Sequence, residues 1–177
     1  PEGSKTYAGK FGPDMYTDHL IKFMRKHKEN PMCLYYPMAL VHRKWVASPD
    51  EPKAKSRLER HISMVRYADK MVGKLMKSLD ELKIRDRTIV IFTTDNGTTG
   101  GNVGFTAMRN GVEVPGAKGA LTEAGVCAPF IVNCPGMVPE GVETDALTDF
   151  SDMLPTFLEL GGGKVPEDLT IDGTSIA

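Results

Sequence analysis

An acidic and an amide side chain stand together at the end of a predicted strand, in the stretch TTDNG. Asp95 and Asn96 follow the apolar run TIVIFTT and precede Gly97. In open α/β sheets, ligands bind beyond the carboxyl ends of the strands. A carboxylate beside an amide offers oxygen ligands that suit Ca²⁺ or Mg²⁺. The alternative is a plain turn, because Asn-Gly is a strong turn signal.

Two further side chains have chemical types suited to an anionic substrate. Lys118 lies among small residues in PGAKGALTEAG, where its ammonium has room to approach an anion. His42 follows the predicted strand MCLYY and is a candidate general acid. The alternative for either residue is an ordinary solvated or packed side chain. His19, His27 and His61 lie on predicted helices, where structural or solvent roles are expected.

Helices are predicted where apolar residues recur at spacings of three and four. The three segments are 14–29, 54–83 and 151–160. In the long second helix, the repeating residues are Leu58, Ile62, Val65, Val72, Leu75, Leu79 and Leu82. Gly73 lies inside that helix, and we expect close packing against a neighbour to explain it. Ser151 is the expected N-cap of the third helix.

Strands are predicted at three short apolar runs, residues 32–36, 88–94 and 128–136. TIVIFTT shows little alternation, which is typical of a strand covered on both faces in a parallel sheet. Glycine-rich residues 97–119 predict a long loop. Alternating helices and strands predict an α/β fold with a partly parallel sheet flanked by helices.

The bulk composition excludes some classes of partner. A chain of 177 residues with a net charge of −1 has no electrostatic reason to bind nucleic acid. No apolar run approaches the roughly 20 residues of a membrane span. Cys33, Cys127 and Cys134 are odd in number and lack a C-x-x-C spacing, so they are expected to be free, mostly buried thiols.

Taken in order, several segments resemble the sulfatase family of the alkaline phosphatase superfamily. They are YTDHLIKFMRKHKENPMCLYYPMALVH, RYADKMVGKLMKSL, TIVIFTTDNG, KGALTEAGVCAPFIVNCPG, DALTDFSDMLPTFLELGG and IDGTSI, and they cover nearly the whole chain. The resemblance implies an alkaline-phosphatase-like fold. It also implies a sulfuric ester hydrolase whose substrate is a small sulfate ester or a sulfated sugar, in a protein that is periplasmic or secreted.

The resemblance implies a role for each candidate residue. Asp95 and Asn96 would ligate one divalent cation, usually Ca²⁺, with Mg²⁺ as the other candidate. Lys118, in the motif K-G-x-L-x-E-x-G, would contact the sulfate. His42 would contact the sulfate ester and donate a proton to the leaving alcohol. Relatives that bind two zinc ions tend to have Asp-His in place of Asp-Asn, so Asn96 favours the one-metal sulfatases.

The chain departs from the family pattern in its nucleophile. Sulfatases use a formylglycine made from a C/S-x-P-x-R motif, and neither that motif nor the paired aspartates and second Lys/His pair occur here. Residues 1–177 are therefore expected to be a single fragment, the carboxy-terminal part of a sulfatase catalytic domain, inactive alone. Cys127 also replaces the arginine of E-G-G-x-R-x-P. The alternatives are a phosphonate or phosphodiester hydrolase of the same superfamily, or a non-catalytic binding protein descended from a sulfatase.

Overall fold

The computed structural model describes residues 5–100 and 105–177. The chain divides into two compact units, with the boundary between Glu140 and Gly141. The first unit holds two long helices, two pairs of strands and a short helix. The second holds one helix and the turns around it. None of the helices in the described ranges is long and apolar enough to cross a membrane.

The two long helices confirm the predictions for 14–29 and 54–83, with ends that differ by up to three residues. Helix α1 spans Gly12–His27, with a proline in its first turn. Helix α2 spans Arg57–Glu81 and begins at a capping box. There the Glu59 N–H donates to the Ser56 hydroxyl at 3.1 Å, and the Ser56 N–H donates to the Glu59 carboxylate at 2.8 Å.

The core of the first unit lies between α1 and α2, where Met24, Leu79 and Ile84 are buried. At the start of α1, the Tyr67 hydroxyl donates to Asp14 at 2.8 Å. This contact turns the Met64, Tyr67 and Met71 face of α2 inward. The apolar face predicted for the first half of α2 was therefore wrong, and three of its members are exposed: Leu58, Ile62 and Val65.

Gly73 in α2 does not face a close neighbour. A Cβ built at Gly73 would have no heavy atom within 4 Å. The predicted close packing at this position was therefore wrong. Glycine at Gly73 lowers helix stability without a steric reason in the described structure.

The strands form two antiparallel pairs. Strand β1 (Val90–Thr93) pairs with β4 (Phe130–Asn133), so that Val90 faces Asn133. Strand β2 (Thr106–Arg109) pairs with β3 (Val112–Pro115). The pairings within the described residues are antiparallel, not partly parallel as predicted. Phe92 is 38% exposed, because a sheet of two strands does not cover both faces of β1.

The predicted buried strand at 32–36 does not form. These residues have no strand partner in the described structure, and Tyr35 is 87% exposed. The Tyr36 hydroxyl instead donates to the carbonyl of Pro13 at 3.4 Å and lies 3.3 Å from the Thr17 hydroxyl. The segment therefore packs on α1, because its apolar residues find a helix surface and not a neighbouring strand.

The β2–β3 hairpin lies inside the stretch predicted to be a long loop. Its turn is Asn110-Gly111, with φ of 51° and 78°. Positive φ at both central residues is the geometry of the tight two-residue hairpin turn, for which Asn-Gly is the preferred pair. The prediction of a structureless loop over 97–119 was therefore wrong for residues 106–115.

In the second unit, α4 (Met153–Leu160) follows a 3₁₀ turn at Phe150–Asp152. The predicted helix is confirmed, but Ser151 is not its cap. The Ser151 N–H donates to the Asp149 carboxylate at 2.6 Å, so Asp149 caps the 3₁₀ turn. The Ser151 hydroxyl donates to the same carboxylate at 2.6 Å, and this bond, together with the one from the Ser151 N–H, lowers the pKa of Asp149 because both favour the ionised form.

The cysteines are free, as predicted, but they are not mostly buried. Cys33 and Cys127 are exposed, and Cys134 is buried. Cys127 ends the short helix α3 (Glu123–Val126), with its N–H donating to the carbonyl of Glu123 at 2.7 Å. The exposed position follows from its place at the end of this helix, before β4 begins.

Candidate functional site

Strand β1 ends at Thr93, and the chain then bends through Asp95 and Asn96. Asp95 is exposed, whereas the side-chain oxygen of Asn96 is buried and has no hydrogen-bond partner among the described residues. Neither Asn96 nor Gly97 has a positive φ, so this Asn-Gly pair does not make the tight turn seen at Asn110-Gly111. The Asn-Gly signal therefore does not produce a tight two-residue hairpin turn here.

The unpartnered oxygen of Asn96 tests whether a cation fits this bend. A buried carbonyl oxygen without a partner is costly, and a bound cation would satisfy it. The donor set, one carboxylate and one amide, also suits Ca²⁺ or Mg²⁺. Within residues 5–100 and 105–177, no group of three or more His, Cys, Asp or Glu is placed to hold a metal. Asp95 and Asn96 would thus supply only part of a coordination shell.

The bend at Asp95 and Asn96 is joined to the next segment by backbone contacts. The Gly97 N–H donates to the carbonyl of Gly125 at 3.0 Å. A Cβ built at Gly97 would lie 2.1 Å from the carbonyl oxygen of Ala124. Glycine is required here by the close approach of two backbones, and not by its φ.

Lys118 is held beside the same bend. Its N–H donates to the carbonyl of Thr98 at 3.0 Å. Close packing continues at Gly116, where a Cβ would lie 2.4 Å from the carbonyl of Thr99. The structure therefore brings the Asp95–Asn96 segment and the Lys118 segment into one crossing, which we call the Thr98–Lys118 crossing.

The Lys118 side chain is free to meet a ligand. It is exposed, and no carboxylate pairs with it in the described part of the chain. Its backbone lies in a turn closed by the Ala120 N–H, which donates to the carbonyl of Ala117 at 2.9 Å. An ammonium on a fixed backbone, with no internal partner, has the properties of an anion-binding group.

His42 is exposed and makes no hydrogen bond to Asp95, Asn96 or Lys118 among the residues that the structure describes. Its Nδ1 bonds the backbone carbonyl of Arg43. Because a carbonyl only accepts, Nδ1 carries a proton and Nε2 is the nitrogen left for a ligand. The structure thus brings together the segments that carry Asp95, Asn96 and Lys118, through the Lys118 N–H and the Thr98 carbonyl, and leaves His42 on a separate segment.

An aromatic cluster, which the sequence did not predict, connects the His42 segment to the crossing. The rings of Trp45 and Phe105 meet edge to face, with centroids 5.1 Å apart and planes at 76°. The Phe105 ring also stacks on the imidazole of His61 in α2, with centroids 4.0 Å apart and planes at 19°. The three aromatic residues are far apart in sequence, so no spacing between them predicts that they meet.

His61 is part of this cluster, in the structural role expected of it. Its Nδ1 is buried without a hydrogen-bond partner in the described residues. Burial lowers the pKa of His61, because it disfavours the charged imidazolium. His61 is therefore set up as a neutral stacking partner rather than an acid at neutral pH.

The sequence profile described as Sulfatase matches residues 10–163. The chain is 29% identical over 157 residues to steryl-sulfatase of Rattus norvegicus, covering 87% of this chain and 27% of that protein. It is 30% identical over 164 residues to N-acetylgalactosamine-6-sulfatase of Canis lupus familiaris, covering 92% of this chain and 31% of that protein.

Solved structures also match this chain over nearly its whole length. The chain superposes on the crystal structure of Ps i-CgsB in complex with k-i-k-neocarrahexaose with a TM-score of 0.81 and 26% identity, covering 99% of this chain and 39% of that one. A second structure, described under metabolism of multiple glycosaminoglycans by Bacteroides thetaiotaomicron, matches with a TM-score of 0.74 and 25% identity, covering 93% of this chain and 35% of that one. The chain thus spans about a quarter to a third of the length of the curated relatives it matches.

Proposed function

Because the chain belongs to the sulfatase family, we propose that it supplies part of the active site of a sulfuric ester hydrolase. One observation supports this proposal above the others. The two segments to which the resemblance assigns metal binding and sulfate binding meet at the Thr98–Lys118 crossing, through a backbone hydrogen bond of 3.0 Å. The metal-binding and sulfate-binding residues would then lie close enough for one substrate to contact both.

Lys118 would bind the sulfate group. Hydrolysis breaks an S–O bond, and negative charge moves onto the leaving oxygen as it breaks. An exposed ammonium with no internal carboxylate partner stabilises charge at that point, and a positioned charge of this kind gives large rate effects.

Asp95 and Asn96 would hold the divalent cation. Ca²⁺ is the preferred candidate and Mg²⁺ is the other. The buried, unpartnered oxygen of Asn96 supports this assignment. Ca²⁺ takes about six to eight oxygen ligands, so the remaining ligands would come from other residues of the complete site. When bound, the cation would supply Lewis-acid polarisation of a sulfate oxygen.

His42 would donate a proton to the departing alkoxide. Its Nδ1–H is engaged by the carbonyl of Arg43, so the proton would leave from Nε2 of the doubly protonated imidazolium, which becomes the neutral imidazole. This role requires the His42 segment to lie over the Thr98–Lys118 crossing. The contact between Trp45 and Phe105 supports that arrangement, because Trp45 follows His42 by three residues.

The nucleophile would be a formylglycine carried outside these 177 residues. The 177-residue sequence contains no C/S-x-P-x-R motif. We therefore propose that the chain alone does not hydrolyse sulfate esters. Its activity would depend on the complete protein that carries the modified residue.

The substrate would be a small sulfate ester or a sulfated sugar. One solved neighbour is in complex with a neocarrahexaose, which supports testing sugar sulfates beside aryl sulfates. The test is a panel of esters presented to the full-length protein, after mass spectrometry has established whether it contains formylglycine. The proposal predicts hydrolysis of sulfate esters over matched phosphodiesters and phosphonates. Preference for the phosphorus esters would favour the phosphonate or phosphodiester hydrolase, and no turnover of any ester would favour the non-catalytic binding protein.

A further inference from the structure

Phe105 occupies a junction between three parts of the first unit. Its N–H donates to the carbonyl of Thr99 at 3.3 Å, and its own carbonyl accepts from the N–H of Gly116 at 2.7 Å. The backbone of Phe105 is thereby tied to both sides of the Thr98–Lys118 crossing. Its side chain points away from these bonds, towards two other rings.

The side chain of Phe105 is held between Trp45 and His61. Trp45 meets its ring at 76°, a favourable edge-to-face arrangement, and His61 stacks at 19° from α2. His61 lies in α2, whose first turn is capped, so the Phe105 ring stacks against a residue of a regular helix. The only described aromatic contact of the 42–48 segment is the one that Trp45 makes with Phe105.

This geometry limits where His42 can be. Three residues span at most about 10 Å of chain, so fixing Trp45 confines His42 to a short arc. Nothing else among the described contacts links His42 to the crossing. The Phe105 ring therefore connects this segment to the crossing, whereas Ser48 ties the segment separately to α2, with its N–H donating to the Ser63 hydroxyl at 3.1 Å.

We propose that Phe105 is a positioning residue of the active site: by holding Trp45, it fixes the His42 segment relative to the Thr98–Lys118 crossing. This inference rests on the proposed function for the role of His42. Displacing a catalytic group by 1 Å can lower the rate by about 100-fold, so a contact that positions His42 affects catalysis.

The first test uses the 177-residue chain and needs no activity. Trp45 is its only tryptophan, so tryptophan fluorescence reports the surroundings of this one side chain. Phe105→Leu keeps an apolar side chain and both backbone hydrogen bonds, whereas Phe105→Tyr keeps the ring. We expect Phe105→Leu to shift Trp45 emission to the red and to increase its quenching by acrylamide, and Phe105→Tyr to match the wild type. Phe157→Leu, the same change in the second unit, is the matched control and should leave emission unchanged.

The second test measures catalysis in the full-length protein with two aryl sulfates. The phenolate of para-nitrophenyl sulfate leaves readily, whereas that of phenyl sulfate is more basic and needs a proton. Phe105→Leu should slow phenyl sulfate by about 10- to 100-fold, with a much smaller effect on the nitrophenyl ester. It should add little to the loss already caused by His42→Ala, because both act on one step.

The outcomes separate the two proposals. Unchanged Trp45 emission and quenching in Phe105→Leu would overturn the positioning role, whatever the activity. Equal slowing of both aryl sulfates would also overturn it, because a general loss of structure does not distinguish leaving groups. A wild-type protein that hydrolyses neither these aryl sulfates nor any sugar sulfate of the panel would overturn the proposed function, while the fluorescence test would still decide whether Phe105 holds Trp45.

Discussion

The backbone N–H of Lys118 donates a hydrogen bond to the carbonyl of Thr98 at 3.0 Å. Thr98 follows the Asp95–Asn96 bend by two residues, so the proposed sulfate-binding and cation-binding residues share one hydrogen-bonded crossing. Their separation is set by backbone, which is less adaptable than side chains. The site therefore depends on how closely the two backbones can approach.

Gly97→Ala is predicted to lower the free energy of unfolding by about 1–3 kcal/mol, the usual cost of overpacking. A Cβ there would lie 2.1 Å from the carbonyl oxygen of Ala124, so backbone must move. Gly73→Ala is the matched control. It has no atom within 4 Å of the new Cβ and lies inside α2, so it should raise the free energy of unfolding by about 0.5–1 kcal/mol. Urea denaturation of both variants measures the two changes, and a shift of the same sign in both would contradict the prediction.

Asn96→Ala is predicted to remove stabilisation by a cation without lowering stability in chelator. The substitution deletes a buried oxygen that has no described partner, so its loss costs no hydrogen bond. In the full-length protein, Ca²⁺ at about 100 times its Kd should stabilise the wild type by about 2.7 kcal/mol. Asn96→Ala and Asp95→Ala should each lose this effect.

Asp168→Ala is the control for the cation experiment, because Asp168 is exposed and makes no described hydrogen bond or ion pair. Thermal unfolding with Ca²⁺ and with chelator supplies the measurement. A calcium-dependent rise in Tm that survives in Asn96→Ala would show that the cation binds elsewhere. A fall in stability of Asn96→Ala in chelator would show that its oxygen has a partner in the apo protein.

His61 is predicted to make stability depend on pH in mildly acidic solution. Burial lowers the pKa of His61 below its unfolded value of about 6.5, so the unfolded chain binds more protons in that range. The stabilising contribution is complete above the unfolded pKa and is lost as the pH falls towards the folded pKa. Urea denaturation at neutral and at mildly acidic pH should show a smaller loss for His61→Leu than for the wild type.

His19→Leu makes the same substitution at an exposed position of α1 and should keep the wild-type pH dependence. If His61→Leu and His19→Leu lose stability alike on acidification, another group is responsible. If the wild type shows no loss, the His61 imidazole is not held neutral in the folded chain.

The sequence was informative wherever local physics decides structure. Helical spacing locates α2, and the apolar run TIVIFTT locates β1. The other elements depend on which segments pack against them. The run at 32–36 has strand composition, yet Tyr36 packs on α1, because a strand exists only with a neighbour. The hairpin at Asn110-Gly111 was predictable from its turn signal, which was overlooked within a glycine-rich stretch.

The candidate site was predictable only in part. Asp95, Asn96, Lys118 and His42 follow from motifs in the sulfatase resemblance, but no motif states which of them share a backbone contact. The aromatic cluster of Trp45, Phe105 and His61 has no sequence signal, because its members come from three distant segments. Close approach at Gly97 is likewise a property of two segments, and the sequence of one does not disclose it.

The central claim is that Lys118 binds the sulfate group of a sulfate ester during hydrolysis. Its most direct test is kcat/KM for para-nitrophenyl sulfate in the full-length protein, with formylglycine verified by mass, for wild type, Lys118→Ala and Lys77→Ala. Lys77 is an exposed helix lysine 3.8 Å from Glu81, so its removal controls for charge alone. The account predicts that Lys118→Ala lowers kcat/KM by about 100- to 1,000-fold while Lys77→Ala matches the wild type. Equal activity in Lys118→Ala and wild type would contradict it.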